Sequence, residues 1–312
     1  MQNNDKRKNV SMGLKLGNAK EGVYYSNQEK LWALFFLAPY IIGLLLFWLG
    51  PVIASFLISF TDWELVGSSL WVGFENYKNL LSDELFIKSL VNTAYYTIIS
   101  VPLGMVLSLL LAIAMNQKLK GIVLFRTAFF LPHISSMVAI ALLWSWIYNS
   151  QYGLLNYFLG LLGVPAQNWL GNPTLAMPAL IVMSVWKGLG YNMMIWLAAL
   201  QGIPEDLYEA ARIDGANKWQ QFKNITVPLL SPTTFLLLIL GLIGSFQVFE
   251  QSYVMTKGGP AHATFTIVLY IFSSAFEWLR MGYASAMAYI LALIIFALTI
   301  IQLKYQKKWV HY

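Results

Sequence analysis

The sequence predicts an all-α polytopic membrane protein with six transmembrane helices and with its N and C termini in the cytoplasm. Of the 312 residues, 58% are hydrophobic and 11% are charged, and the mean hydropathy is +0.60. Soluble proteins are about 25% charged, and a soluble core could not cover this much apolar surface. Six apolar runs are long enough to cross a bilayer, and the lysines and arginines cluster on one side of them. We therefore expect the chain to be embedded in a lipid bilayer.

The six spans follow from length, since crossing roughly 30 Å of hydrocarbon takes about 20 apolar residues. Before them lies a polar segment, residues 1–30, which we expect to be cytoplasmic and loose. The membrane domain then covers residues 31–305 with a cytoplasmic loop at 201–232, and residues 306–312 form a cytoplasmic tail. The predicted spans are 31–60, 90–115, 122–148, 174–200, 233–254 and 283–303.

The orientation follows from the basic residues. Fifteen of the 20 lysines and arginines fall in the N-terminal segment, the loop between spans two and three, the loop between spans four and five, and the tail. On the opposite side there are only Lys78, Lys88, Lys257 and Arg280, and Lys187 lies inside span four. Because basic residues accumulate on the cytoplasmic side, both termini are predicted to be cytoplasmic.

Two segments on the predicted outer side are not spans. Residues 154–164 are apolar, but a run of 11 is too short to cross the bilayer, so the segment is either interfacial or re-entrant. Residues 82–90 begin with Ser82 as a candidate helix cap, followed by acidic residues. This pattern predicts a short helix on the outer surface.

The loop at 201–232 has the most informative polar sequence. Pro204 suits the first turn of a helix, and the acidic residues that follow it complement the positive end of the helix dipole. Gly215 can take the left-handed conformation that ends a helix, and Asp214 can cap the next one. The pattern predicts two short helices joined at Gly215. The loop is either a docking surface for a cytoplasmic partner or a rigid connector with solvated charges.

The stretch Glu209-Ala210-Ala211, followed by Gly215, resembles the EAA loop of permease subunits in binding-protein-dependent ABC importers. The stretch from Leu207 to Ala216 is similar to the carbohydrate branch of that family, the maltose and multiple-sugar permeases. The resemblance extends over most of residues 31–305. Its further matching stretches are 74–77 (FENY), Leu131-Pro132, 255–260 (MTKGGP), and Ile225 with Pro228.

The resemblance implies a type I ABC importer transmembrane domain in the bacterial cytoplasmic membrane. It implies a cytoplasmic ABC ATPase dimer, a second related permease, an extracytoplasmic solute-binding protein and a sugar or oligosaccharide substrate as partners. The chain carries no G-x-x-x-x-G-K-[ST] phosphate loop, so ATP and Mg²⁺ are expected on the partner ATPase, and no cofactor or metal is expected in this chain. By the resemblance, the residues that couple to the ATPase are Glu209, Ala210, Ala211, Asp214 and Gly215.

Polar residues inside the membrane are costly and therefore candidates for the solute pathway. In span four, Lys187 shares a helical face with three neighbours that suit sugar hydroxyls, although it could instead pair with an acidic group of the second permease. In span five the polar residues lie toward the outer end, where Glu250 could simply be hydrated. The pathway candidates are Ser184, Lys187, Gly188, Tyr191, Ser245, Gln247 and Glu250.

Other function classes fit less well. Nucleic-acid binding is not expected, because no basic tract is interleaved with aromatic residues. An enzyme is not expected either, because three scattered histidines and no cysteine supply no catalytic constellation. The alternative is a secondary, ion-coupled transporter of small polar solutes that acts without an ATPase. Such proteins need buried acidic or histidine relays and often have broken helices at mid-membrane.

Overall fold

The computed structural model describes residues 27–64, 67, 69–117 and 120–310, and this part of the chain is built from helices. Within it, β-structure is limited to two isolated bridges, Thr61 with Trp71 and Glu64 with Arg280. Most of the predicted N-terminal segment lies outside the described residues.

The helices are numbered in chain order. Three π-helical turns interrupt them, at Leu45–Leu49, Phe222–Thr226 and Ser273–Glu277. The α-helices are α1 (Asn27–Leu44), α2 (Gly50–Ile58), α3 (Glu75–Ser82), α4 (Glu84–Met115), α5 (Ile122–Ile134), α6 (Met137–Ile147), α7 (Leu154–Leu161), α8 (Pro173–Gln201), α9 (Glu205–Ile213), α10 (Lys218–Gln221), α11 (Val227–Leu229), α12 (Ser231–Phe246), α13 (Glu250–Thr256), α14 (Ile267–Phe272) and α15 (Met281–Trp309).

The chain divides into two compact units at Ile53. The described part of the first unit consists of α1, a π-helical turn and the start of α2. Its apolar side chains are exposed, among them Phe36 and Phe47. This composition is typical of a helix that is surrounded by lipid or by another membrane helix. The second unit, residues 54–312, contains the buried core.

Within the part of the chain that the structure describes, four helices are long and apolar enough to cross a membrane, and the count reaches six, the number predicted, when each of two bent helix pairs is taken as one span. The unbroken candidates begin at Leu31, Glu84, Pro173 and Met281. Predicted span three is not one helix, because α5 and α6 meet at 101°. Predicted span five is also broken, because α13 begins only after a gap at residues 247–249. Just before this span, α12 meets the preceding helical segment at 61°.

The core of the second unit forms around α4 and α8, which pack along each other. Trp196 of α8 is almost fully buried, and its indole N–H donates a hydrogen bond of 3.2 Å to the hydroxyl of Ser108 on α4. A buried indole N–H needs such a partner. A further buried cluster joins α6, α8 and α13 around Leu180 and Met183. The broken elements are therefore anchored on α8.

The outer end of α4 differs from the prediction of a separate surface helix at residues 82–90. Asp83, not Ser82, is the N-cap, and its carboxylate accepts hydrogen bonds from the amides of Leu85 and Phe86 at 2.9 and 3.1 Å. The same carboxylate accepts hydrogen bonds from the hydroxyls of Tyr270 and Tyr283. Residues 84–90 are thus the first turns of the 32-residue helix α4.

Asp83 is held in its charged form. Burial raises the pKa of the Asp83 carboxyl, but the hydrogen bonds from Tyr270, Tyr283, Phe86 and Leu85 outweigh burial and hold the pKa below its usual value. The carboxylate ties α14 and α15 to the start of α4.

A tightly folded outer loop follows α13. Lys257, Ala261 and His262 have positive φ values of 49°, 48° and 58°. Two side chains one turn apart on α4 bind the backbone of this loop: Lys88 Nζ donates to Ala261 O at 2.9 Å, and Asn92 Nδ2 donates to His262 O at 2.8 Å. The loop is therefore fixed to α4.

Residues 154–164 contain the eight-residue helix α7. Phe158, Leu161 and Leu162 are exposed. An apolar face on a helix too short to cross favours the interfacial alternative over the re-entrant one. Asn156 is buried and organises this segment, because its side chain bonds to Gln167 and accepts from Trp169 Nε1 at 2.8 Å.

Candidate functional site

The break in predicted span three lies at residues 135–136, between α5 and α6. Pro132 lies in the last turn of α5 and has no N–H to donate, and the last carbonyls of any helix lack intrahelical partners. In a membrane such carbonyls must be satisfied by other groups. The Ser135 hydroxyl satisfies Leu131 O at 3.0 Å.

Lys187 satisfies another of these carbonyls from a different helix. Its ammonium donates a hydrogen bond of 3.0 Å to His133 O at the end of α5. A cation at a helix C-terminus also complements the negative end of the helix dipole. The imidazole of His133 stacks on Tyr191, with ring centroids 4.5 Å apart and planes 16° from parallel. The structure therefore brings two predicted pathway residues, Lys187 and Tyr191, to the break.

Two glycines of α8 have opposite surroundings at this point. A Cβ on Gly190 would lie 2.0 Å from Phe129 O and 2.7 Å from Phe130 Cα, so the backbones of α5 and α8 touch there. A Cβ on Gly188 would meet nothing within 4 Å. Gly190 is thus a packing position that the sequence pattern does not reveal, whereas predicted residue Gly188 borders open space beside Lys187.

Ser184 belongs to a hydrogen-bonded group that joins α4, α8 and α13. Gln251 Nε2 donates to the Ser184 hydroxyl at 3.3 Å and to the Tyr96 hydroxyl at 3.1 Å. Gln251 is buried, and Ser184 also donates to Leu180 O of its own helix. Neither Gln251 nor Tyr96 was among the predicted site residues, because their meeting depends on the packing of helices far apart in sequence.

The span-five candidates occupy two environments. Ser245 is buried, and its hydroxyl donates to Leu242 O of its own helix at 3.0 Å, as a packing residue would. Gln247 lies in the gap between α12 and α13, Glu250 is the first residue of α13, and both are exposed. Glu250 interacts electrostatically with Lys187, yet no carboxylate of the described residues lies within 4.0 Å of that ammonium.

The cytoplasmic loop forms the two predicted helices, α9 and α10, with Gly215 between them. Gly215 has a φ of 81°, the left-handed conformation that was expected, and Ala216 N donates to Ala211 O at 2.8 Å to close the turn. The prediction that Asp214 caps the second helix is wrong. Asn217 is the cap, because Asn217 and Gln220 form a reciprocal capping box that Asp214 cannot form from its position at the end of α9.

The loop is braced internally and exposed externally. The hydroxyls of Tyr208 and Thr226 are 2.9 Å apart and join α9 to the turn below α12. Glu209 and Ala210 are exposed, and Glu209 forms a 3.7 Å ion pair with Arg212 of the same helix. A surface pair of this kind adds about 0–1 kcal/mol, so Glu209 can exchange its partner at little cost. Ile213 is 86% exposed, and such an apolar side chain suits contact with another protein.

Comparisons with known proteins give a consistent result. Residues 86–311 match the family model described as "Binding-protein-dependent transport system inner membrane component". The chain is 39% identical over 282 residues to the probable ABC transporter permease protein YesP of Bacillus subtilis, covering 89% of this chain and 91% of that protein. It is 37% identical over 269 residues to the trehalose/maltose transport system permease protein MalF of Thermococcus litoralis, covering 86% and 91%.

The fold is also similar to a solved structure. A chain of a bacterial alginate ABC transporter, crystallised in complex with an alginate pentasaccharide-bound periplasmic protein, superposes with a TM-score of 0.80. The two chains are 26% identical, and the match covers 90% of this chain and 96% of the other.

Proposed function

Since the chain belongs to the family of inner membrane components of binding-protein-dependent transport systems, we propose that it is the permease subunit of an ATP-driven carbohydrate importer. The family is a membrane component of a transport system and is not an enzyme. The membrane is proposed to be the bacterial cytoplasmic membrane. The chain would form half of a translocation pathway, and a second related permease would form the other half.

The observation that carries this proposal is the exposed, braced loop at residues 201–232. A helix that bears Glu209 and Ala210 at its surface, with Ala211 half-buried beside them, allows close approach of a partner backbone, because alanine adds little bulk. The left-handed turn at Gly215 fixes the direction of the chain after that helix. The proposed partner is a cytoplasmic ATPase dimer, which would bind ATP and Mg²⁺. The Tyr208–Thr226 contact would pass its motion to α12.

The proposed substrate is a sugar or oligosaccharide. One relative is named for trehalose and maltose transport, and the solved relative for alginate, so both act on carbohydrates. An extracytoplasmic solute-binding protein is proposed as the donor, because the solved relative was crystallised with one. The proposed pathway face on α8 combines a cation, an aromatic ring and open space at Lys187, Tyr191 and Gly188, which suits a hydroxylated ring.

One observation favours the alternative, an ion-coupled secondary transporter. Spans broken near their middle are common in such proteins, and the α5–α6 break is one. The experiment must therefore separate an ATP-driven process from a gradient-driven one.

The test uses the chain co-expressed with its candidate ATPase and second permease and reconstituted in proteoliposomes. Glu209→Lys reverses the charge at the docking helix, and Gly215→Pro is incompatible with a φ of 81°, since proline fixes φ near −65°. We expect both variants to lose co-purified ATPase and ATP-dependent sugar uptake. Glu75→Lys is the matched control, because Glu75 is an exposed acid of α3 on the predicted outer side.

Retention of the ATPase and of uptake in both loop variants would contradict docking through this loop. Uptake that needs an ion gradient and proceeds without ATP would favour the secondary transporter.

A further inference from the structure

Lys187 is a cation inside a predicted span, and among the residues that the structure describes it has no acidic partner at contact distance. A charged group at this depth costs at least about 2.5–3.5 kcal/mol unless it is paired or faces a water-filled cavity. Across the described part of the chain, no carboxylate lies within 4.0 Å of its ammonium. Packing alone therefore does not account for a lysine at this position.

The ammonium has hydrogen-bonding capacity left over. A lysine has three donors, and the structure gives Nζ one acceptor, His133 O at 3.0 Å. That bond fixes the direction of the side chain at the end of α5. The remaining donors need acceptors that the described residues do not provide.

The space beside Lys187 is open and has an aromatic wall. A Cβ on Gly188 would meet no atom within 4 Å, and the Tyr191 side chain is 38% exposed while one face of its ring stacks on His133. A cation next to an exposed aromatic surface can hold an acidic sugar, because the ammonium can bind the carboxylate while the sugar ring packs on the aromatic side chain.

We propose that this permease carries acidic saccharides and that Lys187 recognises their carboxylate. The proposal rests on the carbohydrate-import function and deepens it. Glu250 favours a carboxylate over a phosphate, because this acid interacts electrostatically with Lys187 and would repel a dianion more strongly than a monoanion. Glu250 also opposes any anion at Lys187, so the site discriminates between anions by charge.

The test measures direct binding by isothermal titration to the assembled importer in nanodiscs, without its solute-binding protein. The ligands are a diuronate, the neutral disaccharide made by reducing its carboxyl groups, and a disaccharide phosphate. The wild type is expected to prefer the diuronate over the neutral disaccharide by about tenfold or more, since hydrogen bonds to charged groups are stronger than neutral ones.

Three variants test the role of the charge. Lys187→Met should abolish the preference, Lys187→Arg should keep it, and Glu250→Gln should increase it by removing the opposing charge. Lys78→Met, an exposed lysine of α3, is the matched control and should behave as wild type. If Lys187→Met does not assemble, Glu250→Gln still decides, because it keeps the cation and removes only the opposing charge.

Equal binding of the diuronate and the neutral disaccharide by the wild type would overturn the proposal while leaving carbohydrate import intact. An unchanged preference in Lys187→Met or in Glu250→Gln would do the same. Tighter binding of the phosphate would replace the carboxylate with a phosphate as the recognised group. If the importer binds none of the saccharides, both the recognition of a carboxylate by Lys187 and the carbohydrate-import function are overturned. The ATPase-docking test does not depend on the charge of the substrate, so its outcome is independent of this one.

Discussion

The contact between α5 and α8 at Gly190 gives a stability prediction that can be worked from distances. A Cβ at this position would lie 2.0 Å from Phe129 O, whereas ordinary van der Waals contact begins at 3.4 Å. Gly190→Ala therefore requires the two backbones to separate by about 1.4 Å near the new methyl group. Backbone atoms of two packed helices cannot yield as a flexible side chain does, so the whole contact must shift.

The energetic cost has two sources. Overpacking in a close-packed interior costs about 1–3 kcal/mol. The shift also stretches the Lys187–His133 bond one turn away, and a hydrogen bond to a charged group is worth about 1.5–3 kcal/mol. Since the two effects are not additive, we expect a loss of about 3 kcal/mol, which lowers the melting temperature by up to roughly 6 °C.

Gly188→Ala is the matched control on the same helix. A Cβ there meets nothing within 4 Å, and alanine is favoured over glycine inside a helix by up to about 1 kcal/mol. Thermal unfolding of the purified complex, followed by tryptophan fluorescence, should show Gly190→Ala melting below wild type and Gly188→Ala at or above it. A Gly190→Ala melting temperature within 1 °C of wild type, or an equal loss in Gly188→Ala, would refute the reasoning.

Three further predictions concern other parts of the structure. The pKa of Asp83 in the folded protein lies below its usual 3.8, so its carboxylate stabilises the fold at neutral pH, and this stabilisation is lost as the pH falls through the folded-state pKa. Asp83→Asn should therefore be less stable than wild type at neutral pH. Its free energy of unfolding, measured as the pH is lowered, should also fall less steeply than that of wild type. Gly215→Ala forces an L side chain into the left-handed region at a cost of about 1–2 kcal/mol, so amide hydrogen exchange across α9 and α10 should accelerate about tenfold. Gly202→Ala is the control and should leave the exchange rate unchanged, because the φ of Gly202 is −80°. Asn156→Ala removes the bonds that hold the outer segment together, and limited proteolysis should cut between residues 149 and 169, whereas the exposed Tyr157→Ala should remain resistant.

The sequence predicted features that depend on neighbouring residues. The left-handed turn at Gly215 could be predicted because one helix must end and another begin within a few residues. The membrane spans could be predicted because the thickness of the bilayer sets the length of an apolar run that crosses it. The break after Pro132 also follows a local rule, because proline has no N–H to donate, and the helix ends two residues later, at Ile134. The polar group that compensates the break comes from Lys187, 54 residues away, and local patterns carry no information about such a contact.

The errors have the same physical origin. Asp214 and Ser82 were plausible caps by residue type, but Asn217 and Asp83 were selected by reciprocal or tertiary hydrogen bonds. Gln251 is one polar residue among several in span five, and the structure distinguishes it because it reaches both Ser184 and Tyr96. Its importance depends on how three helices pack together, which the sequence pattern does not specify.

The continuity of α4 has a mechanical consequence. Its 32 residues span about 48 Å without a break, whereas predicted spans three and five are bent or interrupted. Lys88 and Asn92 attach the outer loop near one end of α4, and Arg126 binds Met115 O at 2.6 Å at the other. The helix therefore acts as a stiff rod between the two faces of the membrane. A displacement of the outer loop would therefore be carried along α4 to its other end, whereas the breaks at residues 135–136 and 247–249 are the places where the neighbouring chain can bend.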